Sequence, residues 1–375
     1  MGAKITEMKE AEITVIGAGP AGLSAAIEAA KYGANVEIID ENALPGGQLF
    51  KQIHKFFGSK EHYAGTRGYD IGRKLLSEAE NLKVVIKLNT VAFGVFDKNK
   101  IGLFDQKDIL ISKPKKIIIA TGASENPLAF PGWTLPGVMG AGAVQTMINI
   151  HRVLPGKKVL MVGAGNVGLI VSYQLLQAGA DVVAIVEAMP KIGGYFVHAA
   201  KVLRMGVPIL TSHTIIEAKG EKEVESATIA ALDQNWNLIK GSEKELDVDL
   251  ICIAVGLKPE ADLCRMLNCE FTYVPFLGGR IPLHNEDMET TIPGVYVAGD
   301  VSGVEEASVA IEEGRIAGIS AAESLGYISE EESEKERMKC KNRLKAFRIG
   351  PFGSPRQEGK NKVFEEYKRR TKNVK

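Results

Sequence analysis

The 375-residue chain has little cysteine, no excess of either charge and no long apolar run, and each absence excludes a class of protein. Its four cysteines, at positions 252, 264, 269 and 340, are few and irregularly spaced. Neither a disulfide framework nor a cysteine-rich metal site is therefore expected. No Cys-x-x-Cys pair is present, which also removes dithiol redox motifs. We predict a reduced, cytoplasmic protein without a metal site.

The charge balance and the apolar pattern limit the partners. Lysine plus arginine equals aspartate plus glutamate, at 46 each, so the overall charge does not indicate nucleic acid or a membrane surface. No apolar run reaches the roughly 18 residues that a membrane span needs. The N-terminus lacks the basic and apolar regions of a signal peptide. A chain of this length should form two domains, each with its own core.

Residues 13–40 have the pattern of a dinucleotide-binding unit. A β-branched run is followed by a glycine turn, a helical pattern and a second apolar run that ends in acid, about 20 residues beyond the glycines. Gly17 allows the tight turn, Gly19 lets the backbone approach a pyrophosphate, and Gly22 lets the helix pack on its strand. The helix N-terminus attracts phosphates, and Asp40 would accept hydrogen bonds from a ribose. The predicted binding residues are Gly17, Gly19, Pro20, Ala21, Gly22, Asp40 and Glu41.

The same pattern recurs at an offset of 146 residues. Each copy continues through short β runs, typical of an antiparallel meander, into a strand that ends in small residues and glycine. In the first copy we place these runs at 84–86, 91–96, 101–104 and 109–111, and in the second copy at 208–210, 227–232 and 236–239. Two copies of one nucleotide-binding unit predict an α/β fold with two Rossmann-like domains, each a parallel sheet in three layers plus a β-meander. The second-copy binding residues are Gly163, Gly165, Asn166, Val167, Gly168 and Glu187.

Two further segments belong with the first copy. Residues 45–49, PGGQL, form a loop whose glycines would let the backbone approach a flat or charged group, with Gln48 as donor and acceptor. An ordinary turn is the alternative. Near residue 300 a strand runs into Gly-Asp, and a helix rich in small residues is predicted from about Glu306 to Leu325. Glu305 or Glu306 would cap this helix, and exposed acids without such a role are an equal alternative.

The segment from Ser329 onward is densely charged and weakly periodic. Residues 330–375 hold 15 Lys/Arg against 8 Asp/Glu. A basic tail can bind nucleic acid or anionic lipid, but regular aromatic interleaving is missing. We therefore expect a solvated face or a docking segment for a partner subunit, and no nucleic-acid partner.

Together these motifs resemble the two-dinucleotide-binding-domain flavoproteins, the group that includes thioredoxin reductase and NADH-dependent flavin reductases. The resemblance covers roughly residues 11–325. It implies that the first fingerprint binds the ADP part of FAD, that the Gly-Asp carboxylate binds the ribitol, and that the second fingerprint binds NAD(P). The further FAD residues it implies are Gly47, Gln48, Thr121, Gly122, Gly299, Asp300, Glu306 and Ala307. Gly256 joins the NAD set.

The departures from that group narrow the function. Its disulfide reductases need a cysteine pair, at 41–52 or at 139–142 in this numbering, and neither segment has a cysteine. No thiolate can then form the mixed disulfide that exchange requires. Residues 136–146 and 154–168 are similar to the NAD-linked flavoprotein subunits of opine, sarcosine-type and dye-linked proline dehydrogenase complexes, and to proteins that accompany glycerol-3-phosphate dehydrogenases. Some members carry a C-terminal four-cysteine iron–sulfur segment, which should be missing because the tail has only Cys340.

The resemblance implies an FAD-dependent oxidoreductase that passes hydride between NAD(H) and FAD, with the cofactors supplying the chemistry. We expect an FAD-binding domain at 1–126 and 270–328, an inserted NAD(H)-binding domain at 127–269, and a charged tail at 329–375. Glu187 favours NAD over NADP because it would repel a 2′-phosphate. The expected role is the electron-transfer subunit of a hetero-oligomeric dehydrogenase, partnered with a substrate-oxidising flavoprotein that acts on an amino acid, an opine or glycerol phosphate. The alternatives are a stand-alone NADH oxidase or NADH:acceptor reductase, and a catalytically silent structural subunit.

Overall fold

The computed structural model describes residues 5–7, 11–56, 59–97 and 99–372. It contains two compact units, Met1–Ser124 with Lys258–Lys375, and Glu125–Leu257. The second unit is therefore inserted in the first, and the predicted α/β fold with two Rossmann-like domains is confirmed. Residues 258–269, which we assigned to the inserted domain, lie in the first unit, as do the described residues of the tail.

The first unit is built on a five-stranded parallel sheet. Apolar β-branched residues fill its central strands, which are buried on both faces. The strand order is β21 (Val295–Val297), β8 (Lys116–Ile119), β2 (Ile13–Ile16), β3 (Val36–Ile39) and β4 (Val85–Lys87). Three of the four runs predicted for the first meander are present as β5 (Val91–Phe96), β6 (Lys100–Phe104) and β7 (Ile109–Ser112), with β1 (Ile5–Glu7) parallel to β7. The run at 84–86 is wrong as a meander strand, because β4 pairs in parallel with β3.

Two helices of small residues cover one face of this sheet. Helix α1 (Pro20–Lys31) packs against α7 (Ala307–Glu323). An added Cβ on Gly314 or Gly318 would lie 2.2 Å from the carbonyl oxygens of Ala21 and Ala25, respectively. The helices thus approach backbone to backbone. The remaining elements are α2 (Gly68–Asn81), β9 (Ala123–Glu125), β18 (Leu257–Pro259), α6 (Asp262–Met266), β19 (Phe271–Val274) and β20 (Gly279–Pro282).

The tail folds as two helices of the first unit. Helix α8 spans Glu330–Phe347 and α9 spans Gly350–Lys372. Their apolar residues enter the core of that unit, since Leu344 and Val363 are buried. The tail is thus more than a solvated face. Its sequence periodicity is weak because the tail buries some of its own charged side chains as well as apolar ones.

The second unit repeats the first on a smaller scale. Its parallel sheet has the order β10 (Val138–Gly140), β17 (Leu250–Ile253), β11 (Lys158–Val162), β12 (Asp181–Glu187) and β13 (Ile209–Thr211). Its meander is β14 (His213–Lys219), β15 (Ser226–Ala231) and β16 (Lys244–Asp247). Its helices are α3 (Ala141–Thr146), extended by a π-turn at Met147–His151, α4 (Asn166–Gln177) and α5 (Phe196–Arg204).

Two of the predicted meander strands in this unit are wrong. Residues 209–211 pair with the parallel sheet instead. Residues 236–239 form a turn in which Trp236 has a φ of +66°, and only an isolated bridge joins Leu238 to Leu232. The left-handed backbone at Trp236 is incompatible with an extended strand. Within the part of the chain that the structure describes, no helix is long and apolar enough to cross a membrane, and no acidic, histidine and cysteine cluster could hold a metal ion.

Candidate functional site

The first glycine turn joins β2 to α1. Gly17 has a φ of +106°, and a Cβ there would lie 2.3 Å from the carbonyl oxygen of Ala120. A Cβ on Gly22 would lie 1.8 Å from the carbonyl oxygen of Gly17. Around Gly19, by contrast, an added Cβ would meet nothing within 4 Å. Two glycines thus hold the turn tight, and the third leaves open space at the helix N-terminus, which suits the approach of a phosphate.

Asp40, at the carboxyl end of β3, braces this turn. Its Oδ2 accepts a hydrogen bond from the amide of Ala18 at 2.6 Å. Its Oδ1 accepts from the backbone N and the side-chain Nδ2 of Asn42, at 2.8 and 2.9 Å. A carboxylate has about four acceptor positions, so a ribose hydroxyl could still donate to it. The bracing role was not indicated by the sequence, and the ribose contact stays a prediction. Glu41 beside it is exposed.

The loop at residues 45–49 lies against the same turn. The amide of Gly46 donates to the carbonyl oxygen of Ala18 at 2.7 Å, and a Cβ on Gly47 would lie 2.9 Å from the Cα of Gly19. The side chain of Gln48 is exposed. Two segments that the sequence singled out separately are therefore in contact.

Thr121 and Gly122, which follow β8, are hydrogen-bonded to Glu260, just after the chain re-enters the first unit at Lys258. Thr121 Oγ1 donates to the carbonyl oxygen of Glu260 at 2.5 Å, and the amide of Glu260 donates to the carbonyl oxygen of Gly122 at 3.0 Å. Gly122 has a φ of +76°, which favours glycine. The hydroxyl proton of Thr121 is thus used within the protein, while its lone pairs stay available as acceptors.

The Gly299–Asp300 turn lies between the first turns of α1 and α7. A Cβ on Gly299 would lie 2.8 Å from the Cβ of Ala21 and 3.4 Å from that of Ala310. Burial raises the pKa of the Asp300 carboxyl to about 7. The amide of Glu305, 3.3 Å from Oδ1, opposes this rise, and the carboxylates of Glu313 and Glu305 add to it. The fold thus brings this turn to the first fingerprint from far along the chain.

The N-terminus of α7 has no side-chain cap. Glu306 is its N-cap residue and Ala307 its first helical residue, yet the Glu306 side chain makes no cap hydrogen bond. The predicted cap by Glu305 or Glu306 is therefore wrong. Glu305 instead binds the guanidinium of Arg348, with 2.6 Å between Oε1 and Nη2. A full positive charge attracts a carboxylate more strongly than a helix N–H does.

The second glycine turn has the geometry of the first. Gly163 has a φ of +109°, and its Cβ would lie 2.3 Å from the carbonyl oxygen of Ala254. A Cβ on Gly168 would lie 2.1 Å from the carbonyl oxygen of Gly163, and nothing lies within 4 Å of one on Gly165. The N-terminus of α4 is therefore open in the same way. Both turns fit the pyrophosphate of a dinucleotide.

Glu187 does in the second unit what Asp40 does in the first. Its Oε2 accepts from the amide of Ala164 at 2.8 Å, and its Oε1 accepts from the amide of Met189 at 2.9 Å. Of the other predicted residues of this site, Asn166 and Val167 are the first two residues of α4. Asn166 accepts from the amide of Tyr195 at 2.8 Å, Val167 is exposed, and Gly256 has a φ of +107°.

Sequence reasoning missed three charged residues beside the first site. Glu313 on α7, Arg348 after α8 and Lys360 on α9 are all buried, and Glu313 pairs with both cations. Their sequence signal is weak, because Arg and Lys are common in a basic tail and only the fold shows which of them are enclosed. The four cysteines, by comparison, are free and buried.

Most of the chain is similar to known proteins. Residues 11–314 match the pyridine nucleotide-disulphide oxidoreductase family. The chain is 30% identical over 333 residues to an opine oxidase subunit of Rhizobium meliloti (strain 1021), covering 83% of this chain and 71% of that protein. It is 28% identical over 348 residues to the corresponding opine oxidase subunit of Agrobacterium tumefaciens (strain Ach5), covering 86% of this chain and 67% of that protein. The chain thus spans about two thirds of the length of these relatives.

Among solved structures, the chain is similar to thioredoxin reductase of T. acidophilum. The TM-score is 0.70 at 22% sequence identity, with 85% of this chain and 99% of that chain covered. At this identity the likeness concerns the fold, and the family match carries the function. The chain belongs to the pyridine nucleotide-disulphide oxidoreductase family and is an FAD-dependent oxidoreductase that uses a pyridine nucleotide.

Proposed function

We propose that the first fingerprint binds FAD and the second binds NAD(H), and that the chain passes electrons between them as one subunit of a larger dehydrogenase. The observation that carries this proposal is the pair of equivalent glycine turns, each open at its helix N-terminus and each braced by a carboxylate at the next strand end. Within the first unit, the Gly299–Asp300 turn lies against Ala21 in the first turn of α1, which supports a flavin at the first fingerprint.

The chain's own residues would bind and orient. Bound FAD and NADH supply hydride transfer between the nicotinamide and the flavin. The N-termini of α1 and α4 would hold the pyrophosphates through N–H groups and the helix dipole. Asp300 would accept a hydrogen bond from a ribitol hydroxyl, and a pKa of about 7 means that it ionises close to neutral pH. No general acid or base is required for this half-reaction.

NAD(H) is favoured over NADP(H) by the residues around Glu187. Its carboxylate, fixed by two backbone amides, would repel a 2′-phosphate. Reduction of bound FAD by NADH should therefore be much faster than reduction by NADPH in stopped-flow measurements of flavin bleaching. Equal or faster bleaching by NADPH would contradict the assignment.

The role in electron transfer within a complex is supported by the relatives, which are named as subunits of opine oxidases. The absence of cysteine at 41–52 and 139–142 argues against disulfide reduction. The partner would be a flavoprotein that oxidises an amino acid, an opine or glycerol phosphate. Purification of the native complex, followed by dye reduction with each donor class, tests this role.

The controls separate the alternatives. Rapid oxygen or dye reduction by the isolated chain with NADH, and no co-purifying protein, would instead support a stand-alone NADH oxidase or NADH:acceptor reductase. Failure of NADH to bleach bound FAD would leave a catalytically silent subunit.

A further inference from the structure

Two cations from the C-terminal segment are buried against the turn that follows Gly299. Lys360 is fully buried, and its Nζ donates to the carbonyl oxygen and the hydroxyl of Ser302, at 3.0 and 2.9 Å. It also pairs with Glu313 Oε1 at 2.7 Å. Arg348 is buried as well, and its Nη2 lies 2.6 Å from Glu313 Oε1. The cations therefore reach both the turn itself and the helix beside it.

Glu313 joins the tail to the turn. While Oε1 receives Lys360 and Arg348, Oε2 accepts from the amide of Gly299 at 3.1 Å and from the hydroxyl of Ser302 at 2.7 Å. Ser302 also lies within hydrogen-bond reach of the Gly299 carbonyl oxygen, at 2.9 Å. Both oxygens of Glu313 are thus committed, and the backbone of Gly299 is held from both sides.

Arg348 secures the other end of the segment. Its Nε lies 3.1 Å from both carboxylate oxygens of Glu305, and its Nη2 lies 2.6 Å from Oε1. The amide of Glu305 in turn donates to Asp300 at 3.3 Å. The stretch from Gly299 to Glu305 is therefore fixed at both ends by groups outside it, and Asp300 lies between them.

The tail has apolar contacts with the first unit in addition to these charges. Burying an ion removes its hydration and costs several kcal/mol, and apolar replacements often stabilise a fold equally well. The tail already packs through Leu344 and Val363. Burial alone would raise the pKa of Glu313, but the charges of Lys360 and Arg348 hold that pKa below its ordinary value. The cluster is better explained by control of the turn's shape.

We propose that the C-terminal helices form a built-in clamp of the flavin site, in which Lys360 and Arg348 are positioning residues that act through Glu313 and Glu305 on the Gly299–Asp300 turn. The family match ends at residue 314, so both cations lie outside it. The inference rests on the proposed FAD site. By linkage, a clamp that raises affinity for FAD must itself be stabilised by FAD to the same extent.

The test compares Lys360→Met with Lys362→Met in the full chain. Lys362 lies on the same helix but is exposed, and its Nζ donates to the carbonyl oxygen of Tyr273. Fluorescence titration of the flavin-free protein with FAD should give a dissociation constant at least tenfold higher for Lys360→Met and within twofold of the parent for Lys362→Met. The double variant Lys360→Met, Glu313→Gln should recover thermal stability without recovering FAD affinity.

A second measurement uses the parent protein, so it holds even if Lys360→Met does not fold. Addition of FAD should slow amide hydrogen exchange in peptides covering Gly350–Lys372. Unchanged exchange there, or an unchanged FAD dissociation constant with a lowered melting temperature in Lys360→Met, would overturn the clamp and leave a purely structural role. If the parent itself binds no FAD, the proposed function fails together with the clamp. If NADH bleaches the parent normally and Lys360→Met has the same FAD dissociation constant as the parent, only the clamp fails.

Discussion

Replacing Asp300 by Asn should stabilise the flavin-free protein while weakening its hold on FAD. The Asp300 carboxyl is enclosed, and its pKa rises from 3.8 to about 7. A carboxyl with a higher pKa in the folded chain binds more protons when folded, so the free energy of unfolding falls as pH rises from below 4 to about 7. Full ionisation in the folded protein then costs about 4 kcal/mol.

Asparagine does not titrate, so the variant avoids this cost. Between pH 5 and pH 8 its advantage in unfolding free energy should grow by about 2–3 kcal/mol and then level off, because both states of the parent are ionised above that range. Urea unfolding of both flavin-free proteins across these pH values measures the gap. Glu41→Gln, a change at an exposed carboxyl, is the control and should show no such growth.

Binding should move in the opposite direction. A hydrogen bond from a ribitol hydroxyl to a carboxylate contributes about 1.5–3 kcal/mol, so Asp300→Asn should raise the FAD dissociation constant by roughly 10- to 100-fold at pH 8. If the difference in unfolding free energy between Asp300→Asn and the parent does not depend on pH, the raised pKa of a buried Asp300 carboxyl is refuted. Unchanged FAD affinity would refute its proposed contact with the cofactor.

Four glycine and carboxylate changes test the two turns. Gly17→Ala should destabilise the fold by about 2–4 kcal/mol in thermal unfolding, because its Cβ meets a carbonyl oxygen at 2.3 Å. Gly19→Ala, with nothing within 4 Å, should melt within a few degrees of the parent yet bind FAD at least tenfold more weakly by titration. Gly165→Ala should keep its FAD content and raise KM for NADH at least fivefold in steady-state assays. Glu187→Ala should raise the NADPH:NADH ratio of kcat/KM at least tenfold. An unchanged ratio would show that Glu187 does not distinguish a 2′-hydroxyl from a 2′-phosphate.

Much of the architecture could be predicted because short local sequence patterns define its strands, turns and helices. A β-branched run before glycine, and an acid after the next run, define the strand–turn–helix–strand unit wherever it occurs, and its repetition showed that there are two. The meander of the second unit was less predictable, since only its central strand β15 was among the predicted runs. The alternation of its strands is short, and the positive φ of Trp236 depends on the turn around it.

The site was only partly predictable. The first and third glycines of each fingerprint could be identified because no side chain fits where they lie, and their spacing is visible in the sequence. The contact of Gly299 with the N-terminal turns of α1 and α7 leaves no local mark, because it depends on how the sheet orders its strands. The capping role expected of Glu305 failed for the same reason, since its partner Arg348 lies 43 residues away along the chain.

By itself, the sequence determined the α/β class, the two dinucleotide units and their glycine turns, because each rests on spacing within about 30 residues. Only the tertiary structure decided the fate of the tail. Among its many cations, packing encloses Lys360 and Arg348 and leaves Lys362 in solvent. Composition does not show which cations are buried, because burial of a charge depends on the partners that the fold brings to it, here Glu313 and Glu305.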